Sequence, residues 1–151
     1  MKLTLPILAV IVIVVCCLAL FVLAYLSIDV PAIFSRRFGE SVQPLIALSV
    51  SLAIFPIITV PLVGEIVSKA RDLGIRVSKS LVEDYVNGCF TIFILSIAEL
   101  ILVFLITVLE TIVVLYYLVI ALLASILLVL AVLMLSLWKI VKLLYEIIAT
   151  Q

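Results

Sequence analysis

Four long apolar runs, residues 5–28, 45–63, 89–109 and 112–137, fill most of the chain, with short polar stretches between them. Each approaches or exceeds the ~20 residues an α-helix needs to cross the hydrocarbon of a bilayer. The pattern predicts an all-α fold, an integral membrane bundle of four transmembrane helices forming one domain over residues 1–151. An amphipathic cytoplasmic loop and an amphipathic C-terminal tail complete it. The first run follows Met1-Lys2 directly and exceeds the ~7–15-residue core of a cleaved signal. It is expected to remain as a signal anchor and first span.

The polar stretches refine this picture. Residues 29–44 read as an interfacial loop bracketed by Pro31 and Pro44, with Ile33, Phe34 and Phe38 dipping toward the headgroups beside Arg36 and Arg37. Over residues 64–88, Ile66, Ala70, Leu73, Val77, Leu81 and Tyr85 recur at spacings of four and three, a helical stripe. Gly74 is expected to interrupt it. Ser80 and Glu83 have capping-box spacing, and Asn87-Gly88 reads as a stop. Two short amphipathic helices lying on the membrane surface are therefore expected here.

Pro56 and Pro61 are expected to kink the second span, with Ser49, Ser51 and Thr59 nearby to satisfy the carbonyls they free. Glu110-Thr111 is the polar break between the third and fourth runs. A turn is required there, because a continuous helix would be about 75 Å long. Beyond it, Leu123, Leu130, Leu137 and Leu144 repeat every seven residues, as do Ile126, Leu133, Ile140 and Ile147. Such heptads predict helix–helix packing, within the protomer or between subunits. After Trp138 the helix turns amphipathic, with a Lys142–Glu146 pair and with Trp138 and Tyr145 as interfacial anchors. Small-residue pairs, Ala47 with Ser51, Ser49 with Ala53 and Ala121 with Ser125, mark faces for the bundle interior.

Composition removes whole classes of function. Hydrophobic residues make up 69% and charged residues 12%, about half the ~25% charged of soluble domains. A formal net charge of zero with no basic run argues against a nucleic-acid partner. The chain has no histidine, so His-ligated haem, His-based metal sites and a His general base are unavailable. Its four glycines are dispersed and form no phosphate loop. No cofactor, no metal and no catalytic residues are expected, and the chain is not read as an enzyme. Cys16 and Cys17 read as small apolar fillers of the first span, and Cys89 lies at an expected membrane edge, where S-acylation is the minor reading. The single asparagine and absent histidine fit a thermophilic source.

Charge also sets an expected orientation. Lys2, Lys69, Arg71, Arg76, Lys79, Lys139 and Lys142 fall on one side of a four-span arrangement, and Arg36 and Arg37 on the other. The positive-inside bias then predicts N-in/C-in, a multi-pass protein of the cell membrane with both termini cytoplasmic.

The candidate chemistry centres on Glu99, roughly ten residues into the third run and so ~15 Å from its edge. An ionisable residue at that depth costs roughly 2.5–3.5 kcal/mol, and an isolated carboxyl is expected to keep its proton. Depth counting brings Cys16, Ser51 and Ser125 to its level. Glu110, eleven residues on, shares its face and stands at the mouth of a path lined by Thr107 and Ser96. The candidate ion or proton site is therefore Glu99, Glu110, Ser51 and Ser125.

The leading function is a small non-enzymatic structural or assembly component that oligomerises or joins other membrane subunits in the bilayer. The alternative is a proton or cation channel or transporter subunit using Glu99, and a further one is a membrane or envelope protein of a virus. A water-accessible Glu99 favours conduction. A dry Glu99 bonded to Ser51 or Ser125 favours scaffolding.

Overall fold

The structure is a computed structural model that describes residues 5–26, 36, 38–109 and 113–149. Four helices follow in order: α1 Leu5–Tyr25, α2 Phe38–Asp72, α3 Lys79–Leu109 and α4 Val113–Ala149. Each is long and apolar enough to cross a membrane. The expected break at Glu110-Thr111 and the proximal part of the 29–44 loop lie outside the described residues, as does the Glu146 side chain of the expected Lys142–Glu146 pair.

Three helices overrun the apolar runs. α2 has 35 residues, α3 31 and α4 37, so they measure about 52, 46 and 56 Å against ~30 Å of hydrocarbon. The two surface helices expected over residues 64–88 are instead continuations of α2 and α3. Gly64 and Asn87-Gly88 do not stop their helices, since the amphipathic stripe continues through them and packs into the bundle. Thr91 donates to the Asn87 carbonyl at 2.7 Å, one helical turn back. Ser80 lies inside α3 rather than at its cap, its hydroxyl 2.7 Å from that of Ser78.

The genuine break is at Gly74, with φ +73°. Ile75 N–H bonds the Ala70 carbonyl at 2.9 Å and Gly74 N–H the Arg71 carbonyl at 3.0 Å. This pair of bonds is the Schellman arrangement, which satisfies the last carbonyls of α2 through a left-handed glycine. Residues 38–44, expected as loop, are also helical. Phe38 turns inward and meets Tyr116 edge-on, ring centroids 5.3 Å apart at 89°. Both rings are buried, so Phe38 does not dip toward the headgroups as the sequence suggested.

α2 runs unbroken through Pro44, Pro56 and Pro61. Pro56 and Pro61 free the carbonyls of Leu52 and Ile57, four residues earlier. The hydroxyls expected to serve them point elsewhere: Ser51 donates to the Ala47 carbonyl at 2.7 Å and Thr59 to that of Phe55 at 2.9 Å.

α3 and α4 form the central pair. α1 packs against both, chiefly α4, and α2 packs against both, chiefly α3, while α1 and α2 do not meet. Two apolar clusters fill the interior. One joins Ala9 of α1, Val63 and Val67 of α2, Tyr85 to Leu95 of α3 and Leu122 to Ile140 of α4. The other joins Phe38 and Leu45, Val103 and Ile106, and Tyr116 and Val119. Successive helices therefore run in opposite directions, and the first cluster lies at the end carrying the α2–α3 turn. The heptad Ile126, Leu133, Ile140 and Ile147 is buried throughout. Leu123, Leu130 and Leu137 of the parallel heptad pack at its edge.

A Cβ added at Gly74 meets no atom within 4 Å, so Gly74→Ala tests backbone strain alone. The expected cost is about 1–2 kcal/mol, read from thermal unfolding in detergent micelles.

Candidate functional site

Along α3 the most deeply buried side chains, Tyr85, Cys89, Ile92, Ser96, Glu99, Val103 and Ile106, alternate by four and three residues, with Gly88, Thr91 and Leu95 buried beside them. That spacing averages 3.5 and keeps one narrow face of a helix against its neighbours. Four of the seven carry a polar atom. In a protein surrounded by lipid, the polar side chains mark the inner face.

Glu99 falls between the two apolar clusters. The first reaches Leu95 on α3 and the second begins at Val103. Ser96 and Glu99 fill that interval, with Ser49 in the matching interval of α2 and Ala121 in that of α4, all four fully buried. The Ser49 hydroxyl lies beside the Glu99 carboxyl. No hydrogen bond of good geometry reaches Ser49 Oγ, Ser96 Oγ or either Glu99 oxygen among the described residues. A layer of one carboxyl and two hydroxyls thus interrupts an otherwise apolar core.

A second polar group lies nearer the α2–α3 turn. Thr59 Oγ1 sits 4.0 Å from Cys89 Sγ, and the Tyr85 hydroxyl lies beside both without a well-formed bond. Because the Thr59 hydroxyl proton goes to Phe55, the thiol is the donor in the Thr59–Cys89 contact.

The sequence-predicted site residues are not brought together. Ser51 is exposed and bonded to its own helix. Ser125 is buried but donates to the Ala9 carbonyl at 3.2 Å, tying α4 to α1. Cys16 is half-buried on α1, and Thr107, bonded to the Val103 carbonyl at 2.8 Å, is exposed. Glu110 lies outside the described residues. The residue that does stand beside Glu99 is Ser49. It differs from Ser51 by only ~3 Å in depth but by ~200° around the helix. The usable signal was its seven-residue spacing to Pro56 and Val63, both buried.

Chemically the layer offers a proton-carrying group and little else. A neutral carboxylic acid has one O–H donor and can also accept, a complement to the two serine hydroxyls. No group of three or more His, Cys, Asp or Glu residues placed to hold a metal occurs among the described residues. The chain matches no protein-family model, no curated protein and no solved structure.

Replacing a buried, unpaired polar group with an apolar one of similar size removes a desolvation penalty of about 1–3 kcal/mol. Glu99→Leu is therefore expected to raise the unfolding temperature in micelles, whereas Ser125→Ala, losing the tie to Ala9, should lower stability by about 0.6 kcal/mol. A Glu99→Leu variant less stable than wild type would mean that the carboxyl is satisfied by something it binds.

Proposed function

We propose that this chain is a non-enzymatic, multi-pass component of the cell membrane that assembles with copies of itself or with other membrane subunits, both termini facing the cytoplasm. One observation carries the reading. The C-terminal part of α4 has two apolar faces rather than one. Ile140 and Ile147 are buried in the bundle, while Trp138, Val141, Tyr145 and Ile148 form a second stripe that stays exposed.

Depth decides how much of that stripe lipid can account for. α4 is about 56 Å long, and a whole bilayer with headgroups is ~40–45 Å thick. An average tilt of ~20° shortens its span only slightly. Trp138 sits where an interfacial anchor belongs. Tyr145 and Ile148, seven and ten residues further on, stand ~10–15 Å beyond it, past a headgroup layer of about 5–8 Å. An exposed apolar patch in water marks a contact surface. The test is the molar mass of the protein in mild detergent, with Tyr145→Lys/Ile148→Lys as the comparison. An oligomer that the double variant reduces to monomer supports the reading. A wild-type protein that stays monomeric and crosslinks to no membrane partner refutes it.

The second reading, a proton or cation channel or transporter subunit, rests on the unpaired Glu99 carboxyl with Ser49 and Ser96 between the apolar clusters. Buried ionisable residues at such depth mark ion and proton paths in membrane proteins. Its experiment is proton and monovalent-cation flux into proteoliposomes. Flux that is lost in a folded Glu99→Gln variant establishes this role, and no flux from either protein removes it.

A further inference from the structure

The structure assigns a binding site for an anionic phospholipid to the α2–α3 flank, with one acyl chain in a groove and the phosphate at the α2–α3 turn. The groove holds about 430 Å³ and is lined among others by Pro56, Val60, Val86, Phe90 and Phe93. Its lining is almost wholly apolar side chain, and it opens outward, with Ile57 and Phe90 both well exposed along its rim. Pro56, buried on α2, is part of that lining.

The groove is aligned with the α2–α3 turn, where Lys69, Arg71, Arg76 and Lys79 stand among Glu65, Asp72, Glu83 and Asp84. On α2, Val67 and Arg71 follow Val60 by seven and eleven residues, two and three turns, and so share its side. On α3, Val82 precedes Val86 by one turn. Val67, Arg71, Val77, Lys79, Val82 and Glu83 together line a cavity of about 340 Å³ immediately beyond the groove. Arg71 also lines the adjoining cavity of about 380 Å³ with Arg76 and the Gly74 turn. Lys79 is engaged by Glu83 at 3.3 Å, and Lys69 by Glu65 at 3.1 Å. Arg71 and Arg76 make no ion pair among the described residues. Two unpaired guanidiniums around a single turn match a phosphodiester, which arginine can hold bidentately.

The dimensions suit a lipid rather than a free anion. Pro56 to Arg71 is fifteen residues, ~22 Å along α2. One leaflet, from headgroup to midplane, spans about 20–23 Å. A phosphate held at Arg71 therefore leaves its acyl chain the length needed to reach Pro56. An inserted helix of a second copy would fill the apolar part and leave the arginines without a counter-charge, so lipid is the better occupant.

The test is native mass spectrometry of the protein released from mixed micelles holding equal phosphatidylglycerol and phosphatidylcholine. Wild type is expected to retain the anionic lipid in roughly 30-fold preference, as two surface cations imply. Arg71→Gln/Arg76→Gln changes exposed side chains only and should bring that preference close to unity with folding intact. Ile57→Trp, which fills the groove, should lower retention of both lipids. Excess inorganic phosphate should displace neither. Equal retention of the two lipids by wild type, an undiminished preference in the double arginine variant, or displacement by phosphate alone would overturn the assignment. So would an Ile57→Trp protein that changes oligomeric mass while keeping its lipid, which would place a second copy in the groove.

Discussion

In a bilayer, apolar burial gives helices no reason to associate, because lipid tails are as apolar as leucine; close packing and interhelical polar contacts must hold them together. The narrow seam of α3, from Tyr85 to Ile106, is where this bundle meets that constraint. α1, α2 and α4 all pack on α3, and the seam's strict four–three spacing lets it stay in register with α2 and α4 over six turns. α4 answers it with Val119, Ile126, Val129, Leu133 and Ile140, all buried. α1 depends on this pair, since apart from Ala9, Leu20 and a few partly buried positions its surface is open, and among the described residues its one interhelical hydrogen bond comes from Ser125.

The polar atoms on the seam act on specificity more than on stability. Glu99, Ser96 and Ser49 weaken the core by leaving polar groups without well-formed partners. Sliding α2 by one turn along α3, however, would move Ser49 away from Glu99 and set Leu45 or Ala53 against the carboxyl. A polar residue at one seam position discriminates between registers in this way, at a cost in stability. The layer also sits at the junction of the two apolar clusters, bridged on α3 by the partly buried Leu102, which packs against both. A change in the charge of Glu99 would therefore act on both halves of the bundle, the physical link between the packing and the flux reading.

Much of this architecture was legible in the chain. The four spans, the break at Gly74 and the buried heptad of Ile126, Leu133, Ile140 and Ile147 all follow from spacing and composition. Of the small-residue pairs, Ser49 with Ala53 and Ala121 with Ser125 point inward, while Ala47 and Ser51 do not. Helix ends were less legible because hydropathy marks where lipid stops and not where a helix stops. At Gly64 and Gly88 the glycine penalty of ~1 kcal/mol is smaller than the gain from packing Val63, Val67, Tyr85 and Cys89 into one cluster. At Gly74 a left-handed residue breaks the chain direction, and no packing can offset that. The partners of Glu99 were hidden for a related reason: depth along a uniformly apolar helix can be counted, but its rotation can be read only from the few polar residues present.

The overhang of α2, α3 and α4 beyond the hydrocarbon gives these features a common logic. The first apolar cluster runs past the expected membrane edge, carrying Val67, Leu81, Leu137 and Ile140 into the headgroup layer and beyond. A short, packed stem therefore holds the α2–α3 turn and the end of α4 at fixed positions relative to the membrane surface. Fixed positions matter for both surfaces there. In the proposed assignments, the arginines of the turn hold a lipid phosphate above the groove, and the Trp138–Ile148 stripe clears the headgroups to meet a protein. Loose amphipathic helices over residues 64–88 lying on the membrane, the arrangement the sequence first suggests, would scatter the arginines over the surface. Continuous helices keep the two surfaces apart.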